Sequence, residues 1–200
     1  MFVKRCVSFA LAVVLTMGFA GSVWSADTYV VDGAHAYVGF TISHLVINRV
    51  RGTFNDFAGT IVYDADDITK SSLSGSINAA SIDTAHQKRD SDLRGESFFE
   101  VEKYPQITFE TTRVEAGGDS PILHGMLTMH GVSKEVAIPF LVTGIVEFAG
   151  ETRLGFEAQL ELNRHDYGIS YSRLMDNGGL VVGNEVSIEL RGIAIKTTEN

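Results

Sequence analysis

Six histidines, one cysteine and a surplus of carboxylates are the groups in this chain that could do chemistry. The cysteine, Cys6, lies in the first apolar stretch, so no thiol nucleophile remains beyond residue 26. Neither a Gly-x-Ser-x-Gly elbow nor a phosphate-binding glycine loop occurs. Serine, histidine and aspartate are all present, but no spacing ties them into a triad. Metal chemistry meets the same difficulty. His124 and His130 fall on one parity, yet six residues of strand span about 20 Å, too far to share an ion. His86 and Asp90 are four apart and could meet on one helix face. The further ligands that a metal needs are missing. No catalytic residue, metal ligand or cofactor is assigned.

His44 stands apart from these. It continues the apolar parity of Val38, Phe40 and Ile42 just before that segment ends, and Arg49 and Arg51 follow closely. A histidine there would sit where an apolar interior meets water. With Arg49 it could hold a polar or anionic head group. The plainer alternative is a histidine satisfied by a backbone carbonyl at a hairpin end. The run Arg89-Asp-Ser-Asp-Leu-Arg94 is dense in charge. Asp90 and Arg94 could pair at i,i+4 on an exposed helix. Alternatively this segment gates an interior, with Leu93, Phe98 and Phe99 turned inward.

The elements that must position these groups are strands. Leu154, Phe156, Ala158, Leu160 and Leu162 alternate with Gly155, Glu157, Gln159 and Glu161. Period two is the signature of a strand with one dry and one wet face. Similar alternation places strands at Ala36–His44, Arg49–Phe57, Thr60–Asp64, Ser72–Asn78, Gln106–Val114, Ile122–Met129, Lys134–Val146, Thr152–Asn163 and Asn184–Lys196. Turn residues between them predict antiparallel hairpins. A helix is expected over Ala85–Arg94, with Thr84 as N-cap and Gln87 three residues on. Ser97–Glu102 should form a second turn or helix, and Pro105 resets the chain. Arg164–Gly183 is a long non-repetitive loop rich in glycine and polar groups, the kind that often carries function. A sheet of this size must cover its dry face with another sheet, with helices, or by closing into a barrel.

Lys4 and Arg5 precede an apolar run to about Ala20, and Trp24-Ser-Ala26 follows. This is the grammar of a cleaved secretory leader over residues 1–26. The apolar run is short for a bilayer span, so no integral membrane segment is expected after processing. The remainder, 27–200, fits one domain. Without Lys4 and Arg5 it carries 14 basic and 25 acidic residues, a formal charge of −11. That argues against nucleic acid or an anionic membrane as an electrostatic partner.

His35-Ala-Tyr-Val-Gly-Phe-Thr-Ile-Ser-His44, Arg51-Gly-Thr-Phe-Asn-Asp-Phe57, Ser81-Ile-Asp-Thr84 and Arg89-Asp-Ser-Asp-Leu-Arg94 follow one another in order. Phe98-Phe99, Lys103-Tyr-Pro-Gln-Ile-Thr-Phe109, Gly125-Met-Leu-Thr-Met-His-Gly-Val-Ser-Lys134 and Asn163-Arg-His-Asp-Tyr-Gly168 continue the series. In order and spacing these segments resemble the YceI-like family, over about Tyr29 to Arg191. The resemblance implies an all-β, eight-stranded antiparallel lipocalin-like barrel with a short helical insertion. It implies a periplasmic protein, often a homodimer, that encloses a long-chain isoprenoid, a quinone-like lipid or a similar amphiphile, with no catalysis. The lumen then takes Val38, Phe40, Ile42, Phe54, Leu73, Ile77, Ile107, Phe109, Leu127, Met129, Ile138, Phe140, Phe156, Leu160, Ile188 and Leu190, joined by Phe98 and Phe99. His44 and Arg49 are the head-group candidates. A barrel of eight strands can hold one small ligand or be filled by its own side chains. The expected function is sequestration or transport of that lipid. A stress-related interaction protein with a filled lumen, and an enzyme acting on an amphiphile, are the alternatives.

Overall fold

Ten strands, one α-helix and three short 3-10 helices lie in the described part of the chain, residues 26–118 and 120–197 of a computed structural model. Residues 1–25, most of the expected leader, lie outside the described residues. In order the elements are β1 (Asp27–His44), β2 (Asn48–Phe54), β3 (Phe57–Tyr63), β4 (Ser72–Asn78), β5 (Ile82–Asp83), α1 (Gln87–Arg94), β6 (Gln106–Glu115), β7 (Ile122–Met129), β8 (Val132–Phe148), β9 (Glu151–Asn163) and β10 (Val182–Lys196). All pairings are antiparallel, and β10 returns to β1 along nearly its whole length. The sheet is therefore a closed barrel.

Nine strands were expected for eight staves, and the pairing of β1 resolves the surplus. Its first residues pair with β3 (Thr28 opposite Val62) and its last with β2 (Thr41 opposite Arg51). β2 and β3 are one stave interrupted at Asn55 and Asp56. The short β5 adds to the free side of β2.

Several strand ends shift by two or three residues, as where β3 begins at Phe57 and not Thr60, and two further differences have a local physical cause. β1 begins at Asp27, not Ala36. The register against β10 shifts between Val31 and Ala36. There the Asp32 carboxylate accepts the Ala34 N–H and lies 2.7 Å from His35 Nδ1. This bulge breaks the alternation that would have revealed the strand. The helix begins at Gln87, because Ala85 has positive φ and His86 is the N-cap, its Nδ1 accepting the Arg89 N–H. Thr84 instead holds Asp90, through its N–H and hydroxyl. The expected Asp90–Arg94 ion pair is not formed. Arg94 donates to the carbonyls of Ala80 (2.7 Å) and Ile82 (2.6 Å), which ties the helix to β5.

Alternation decides what is inside. On β9, Leu154, Phe156, Ala158 and Leu162 are buried while Glu157, Gln159 and Glu161 are exposed. Two buried groups result. Tyr29, Ile61, Val114, Leu123, Leu154 and Ala194 fill the end where β8 turns into β9. Phe54, Ile82, Val101, Ile107, Tyr167 and Ile169 gather at the opposite end, under the segment that includes α1. Among the described residues no helix is long and apolar enough to cross a membrane.

Candidate functional site

Between these two groups the barrel encloses a cavity of about 680 Å³. Every lumen candidate named from the sequence lines it, Phe98 and Phe99 included. The wall is overwhelmingly apolar, as inward parity requires. Its floor is set by Ile138, Phe140, Phe156 and Ala158, where Phe140 and Phe156 stack with centroids 6.0 Å apart. The interior is not filled by side chains, and glycine explains part of this. The Phe40 ring lies over Gly52, its cross-strand partner, where a Cβ would come within 2.5 Å of the ring. The Phe109 ring lies over Gly125, its diagonal neighbour, where a Cβ would come within 2.5 Å of the ring. Large rings thus lie flat on the wall and leave the centre open.

The opposite end is the mouth. Exposed residues of α1 and the turn after it, Ser91, Asp92, Gly95, Glu96 and Ser97, border it. Phe98 stacks on Tyr171 with centroids 4.8 Å apart, which joins that turn to the loop before β10. The α1 segment is thus held in place partly by aromatic contact. Phe99 meets Phe54 edge-on at 5.8 Å.

The two head-group candidates separate. His44 lines the cavity opposite Asn48 and beside Val182. Arg49 pairs with Ser43, one step away in register, so it belongs to the outer face. There it shares an exposed groove with Asn48, Arg51, Thr84 and Arg89. Arg49 therefore does not join His44 at the cavity.

A different arginine does. Arg164 is only 4% exposed and lines the cavity. It donates from Nε to the Gly183 carbonyl (2.8 Å) and from Nη1 to the Ile169 carbonyl (2.6 Å), and from Nη2 to Asn184 Oδ1 (3.3 Å). Burial pushes its pKa below the usual guanidinium range, but arginine remains charged in proteins. Among the described residues no carboxylate pairs with it. Buried charges are ordinarily paired, so carbonyl dipoles alone hold this one. The sequence carried the signal: Leu160, Leu162 and Arg164 continue one inward parity.

Asp90 is the other buried charge near the mouth. Burial acts to raise its carboxyl pKa. The hydrogen bonds from Thr84 outweigh this, with help from Arg94 and Arg89, and the pKa lies below the ordinary aspartate value. Arg89 completes the knot by donating to the Thr84 hydroxyl (2.7 Å) and carbonyl (2.8 Å). This network sets where α1 sits. Among the described residues no three His, Cys, Asp or Glu side chains converge on a common point.

Comparison with known proteins points the same way. A family model described as a YceI-like domain matches residues 29–194. A UPF0312 protein of Yersinia pestis (strain Pestoides F) is 37% identical over 180 residues, covering 88% of this chain and 91% of the relative. Burkholderia cenocepacia BcnA shares the fold with a TM-score of 0.68 at 22% identity, over 84% of this chain and 99% of that one. A polyisoprenoid binding domain from Saccharophagus degradans, implicated in plant cell wall breakdown, superposes with a TM-score of 0.61 at 14% identity, over 86% and 99%.

Proposed function

The chain belongs to the YceI-like domain family, and from that premise we propose that it binds a long-chain isoprenoid or similar amphiphile in the barrel and sequesters or carries it. The observation that carries this reading is the cavity itself, apolar, closed at one end and bordered at the other by a buried arginine without a carboxylate. Its volume falls within the range of about 300–1,000 Å³ typical of ligand pockets. It also speaks against a lumen filled by the protein's own side chains. The binding of polyisoprenoid by a structural neighbour agrees with it.

The energetics favour a carrier. Removing a tail from water is worth about 0.8 kcal/mol per methylene. A bilayer is equally dry, so exchange between membrane and lumen is nearly balanced and therefore reversible. Head-group contacts then decide occupancy. In this reading His44 and Arg164, which line the cavity, make those contacts, while Arg49 lies on the outer face. The same reading takes residues 1–26 as an export leader and 27–200 as one periplasmic lipid-binding domain without catalytic function. It allows the homodimer that the family resemblance implies, which sedimentation would show.

Native mass spectrometry of freshly purified protein tests the central point. Adducts that organic extraction releases as a long-tailed lipid are expected. Bare protein that also fails to take up added isoprenoid would refute the carrier. Arg164→Lys and Arg164→Met sharpen the head-group assignment. One charge-assisted hydrogen bond is worth about 1.5–3 kcal/mol, so Met should lose tenfold or more in affinity for a polar-headed ligand and little for a plain hydrocarbon. Equal losses for both ligands would mean that Arg164 only supports the mouth.

A further inference from the structure

The β1–β2 turn is built against ordinary preference. Leu45, Val46 and Ile47 connect the strands, with Leu45 at φ 54° and Val46 at φ 66°. Such left-handed positions suit glycine or asparagine, and a β-branched residue there is an outlier. The side chains gain little burial in return: Val46 is 68% exposed and Ile47 89%. A turn that is both strained and apolar calls for a partner, since strain of this kind collects at functional sites.

Its surroundings identify the partner. The Leu45 N–H donates to Val181, a cavity-lining residue, at 2.8 Å. A bridge between Leu174 and Leu180 shapes the adjoining loop, where Leu174 is also exposed. On the outer face of β2, Arg49, Arg51 and Arg89 share one groove. Among the described residues none of the three pairs with a carboxylate. The carboxylates beside Thr84 keep their charge, but neither lines the groove. Asp83 accepts from the Ala85 N–H and from Asn55, and Asp90 accepts from Thr84. Charge is screened beyond about 8–10 Å, so the groove acts by its own sign and not by the chain's net negative charge.

The opposite end supplies a contrast. The β8–β9 tip is apolar too, with Val146 and Phe148 exposed. It carries Glu147 and Glu151, and its Arg153 is paired with Glu151 at 2.7 Å. Among the described residues, only the mouth combines exposed apolar side chains with arginines, Arg49 and Arg51, that make no side-chain hydrogen bond or ion pair.

We propose that the Leu45–Ile47 tip docks on an anionic lipid bilayer, with Arg49 and Arg51 meeting lipid phosphates and Arg89, held by Thr84, adding its positive charge to the groove, so that the cavity mouth rests on the membrane surface. Apolar residues entering the interface beside a basic patch form the two-part signal that stable peripheral binding needs. A ligand could then pass between bilayer and lumen without exposing its tail to water. The purpose of docking rests on the carrier reading; the surface itself does not.

The test is co-sedimentation with vesicles of phosphatidylcholine, with or without phosphatidylglycerol. It uses the chain from Asp27 on, which contains every strand of the closed barrel. Binding is expected to the anionic vesicles and to weaken with salt. Val46→Asp with Ile47→Asp should lower it at least tenfold. Arg49→Ala with Arg51→Ala should lower it about thirtyfold, from the usual gain per basic residue near an anionic surface. Val146→Asp with Phe148→Asp should leave it unchanged. Uptake of the apolar dye N-phenyl-1-naphthylamine in vesicle-free buffer should be the same in all variants, which reports an intact barrel. Dye uptake without vesicle binding, or equal binding by tip variants and parent, would overturn the docking surface. Vesicle binding without uptake of dye or isoprenoid would uphold the surface and remove the carrier.

Discussion

The two ends of the barrel are made from the same strands, yet one is solid and the other open. At the closed end small and large apolar residues interlock: Ala194 and Leu154 are fully buried, and Tyr29 nearly so. At the mouth the residues that would continue this packing are replaced by charge, glycine and aromatic contacts. Arg164 follows Leu162 on the inward parity, and Phe98 stacks on Tyr171 where a plug would stand. Ligand access is therefore confined to one end, although a buried cluster that includes Ile82 and Tyr167 packs beside it. Dense packing closes one end completely, while at the other it lines the flank and leaves room for a ligand.

The largest effect that probes this contrast is Leu154→Ala. Truncating a fully buried leucine costs about 2–5 kcal/mol. A clear fall in Tm is expected by calorimetry, with ligand uptake retained well below the new Tm. If Phe98→Ala lowers Tm as much, the contrast fails. Phe40→Asp comes next. It places a carboxylate on the lumen wall, and an unpaired buried charge costs several kcal/mol unless its pKa shifts. Loss of ligand binding is expected by fluorescence titration. Gly52→Val is subtler. The added atoms meet the Phe40 ring and should turn it into the lumen, which weakens long-tailed ligands more than short ones. An equal loss for both lengths would mean that the wall itself had collapsed.

The Asp90 network at the mouth predicts a pH signature. The folded pKa of Asp90 lies below its ordinary value, so its ionised form stabilises the fold. That contribution is complete above the unfolded pKa of about 3.9 and is lost as pH falls through the folded pKa. Asp90→Asn should lower Tm at neutral pH, and the gap to the parent should narrow below about pH 4. A gap independent of pH would place the effect in packing, not in charge. The smallest effect expected is for Thr41→Asp. It sits on the outer parity opposite Arg51, and such surface changes stay within about 0.5 kcal/mol. Chemical denaturation should barely distinguish it from the parent, in contrast to Phe40→Asp one residue away.

Where alternation ran unbroken, as on β7 and β9, the strand could be read directly. It could not be read over Asp27–His35, where a bulge held by Asp32 interrupts the period. The helix starts later than its capping pattern predicts because Thr84 binds Asp90 and not the helix terminus. Among site residues, the apolar wall followed from parity alone. Arg49 was grouped with His44 by nearness in sequence, but one step of register puts it on the other face. Arg164 begins an irregular loop, which masks the inward parity it shares with Leu160 and Leu162.

The sequence by itself determined the inward and outward faces of the staves, since side-chain direction on a strand has a fixed period of two. Its order of segments also determined the family. Only the tertiary structure decided that β2 and β3 form one stave and that the lumen stays open. It alone decided that Arg164 is buried without a carboxylate and that three arginines share a groove beside the apolar tip. Each of these depends on pairings between residues distant in the chain. A local pattern states which way a side chain points, and only the closed barrel determines what it meets there.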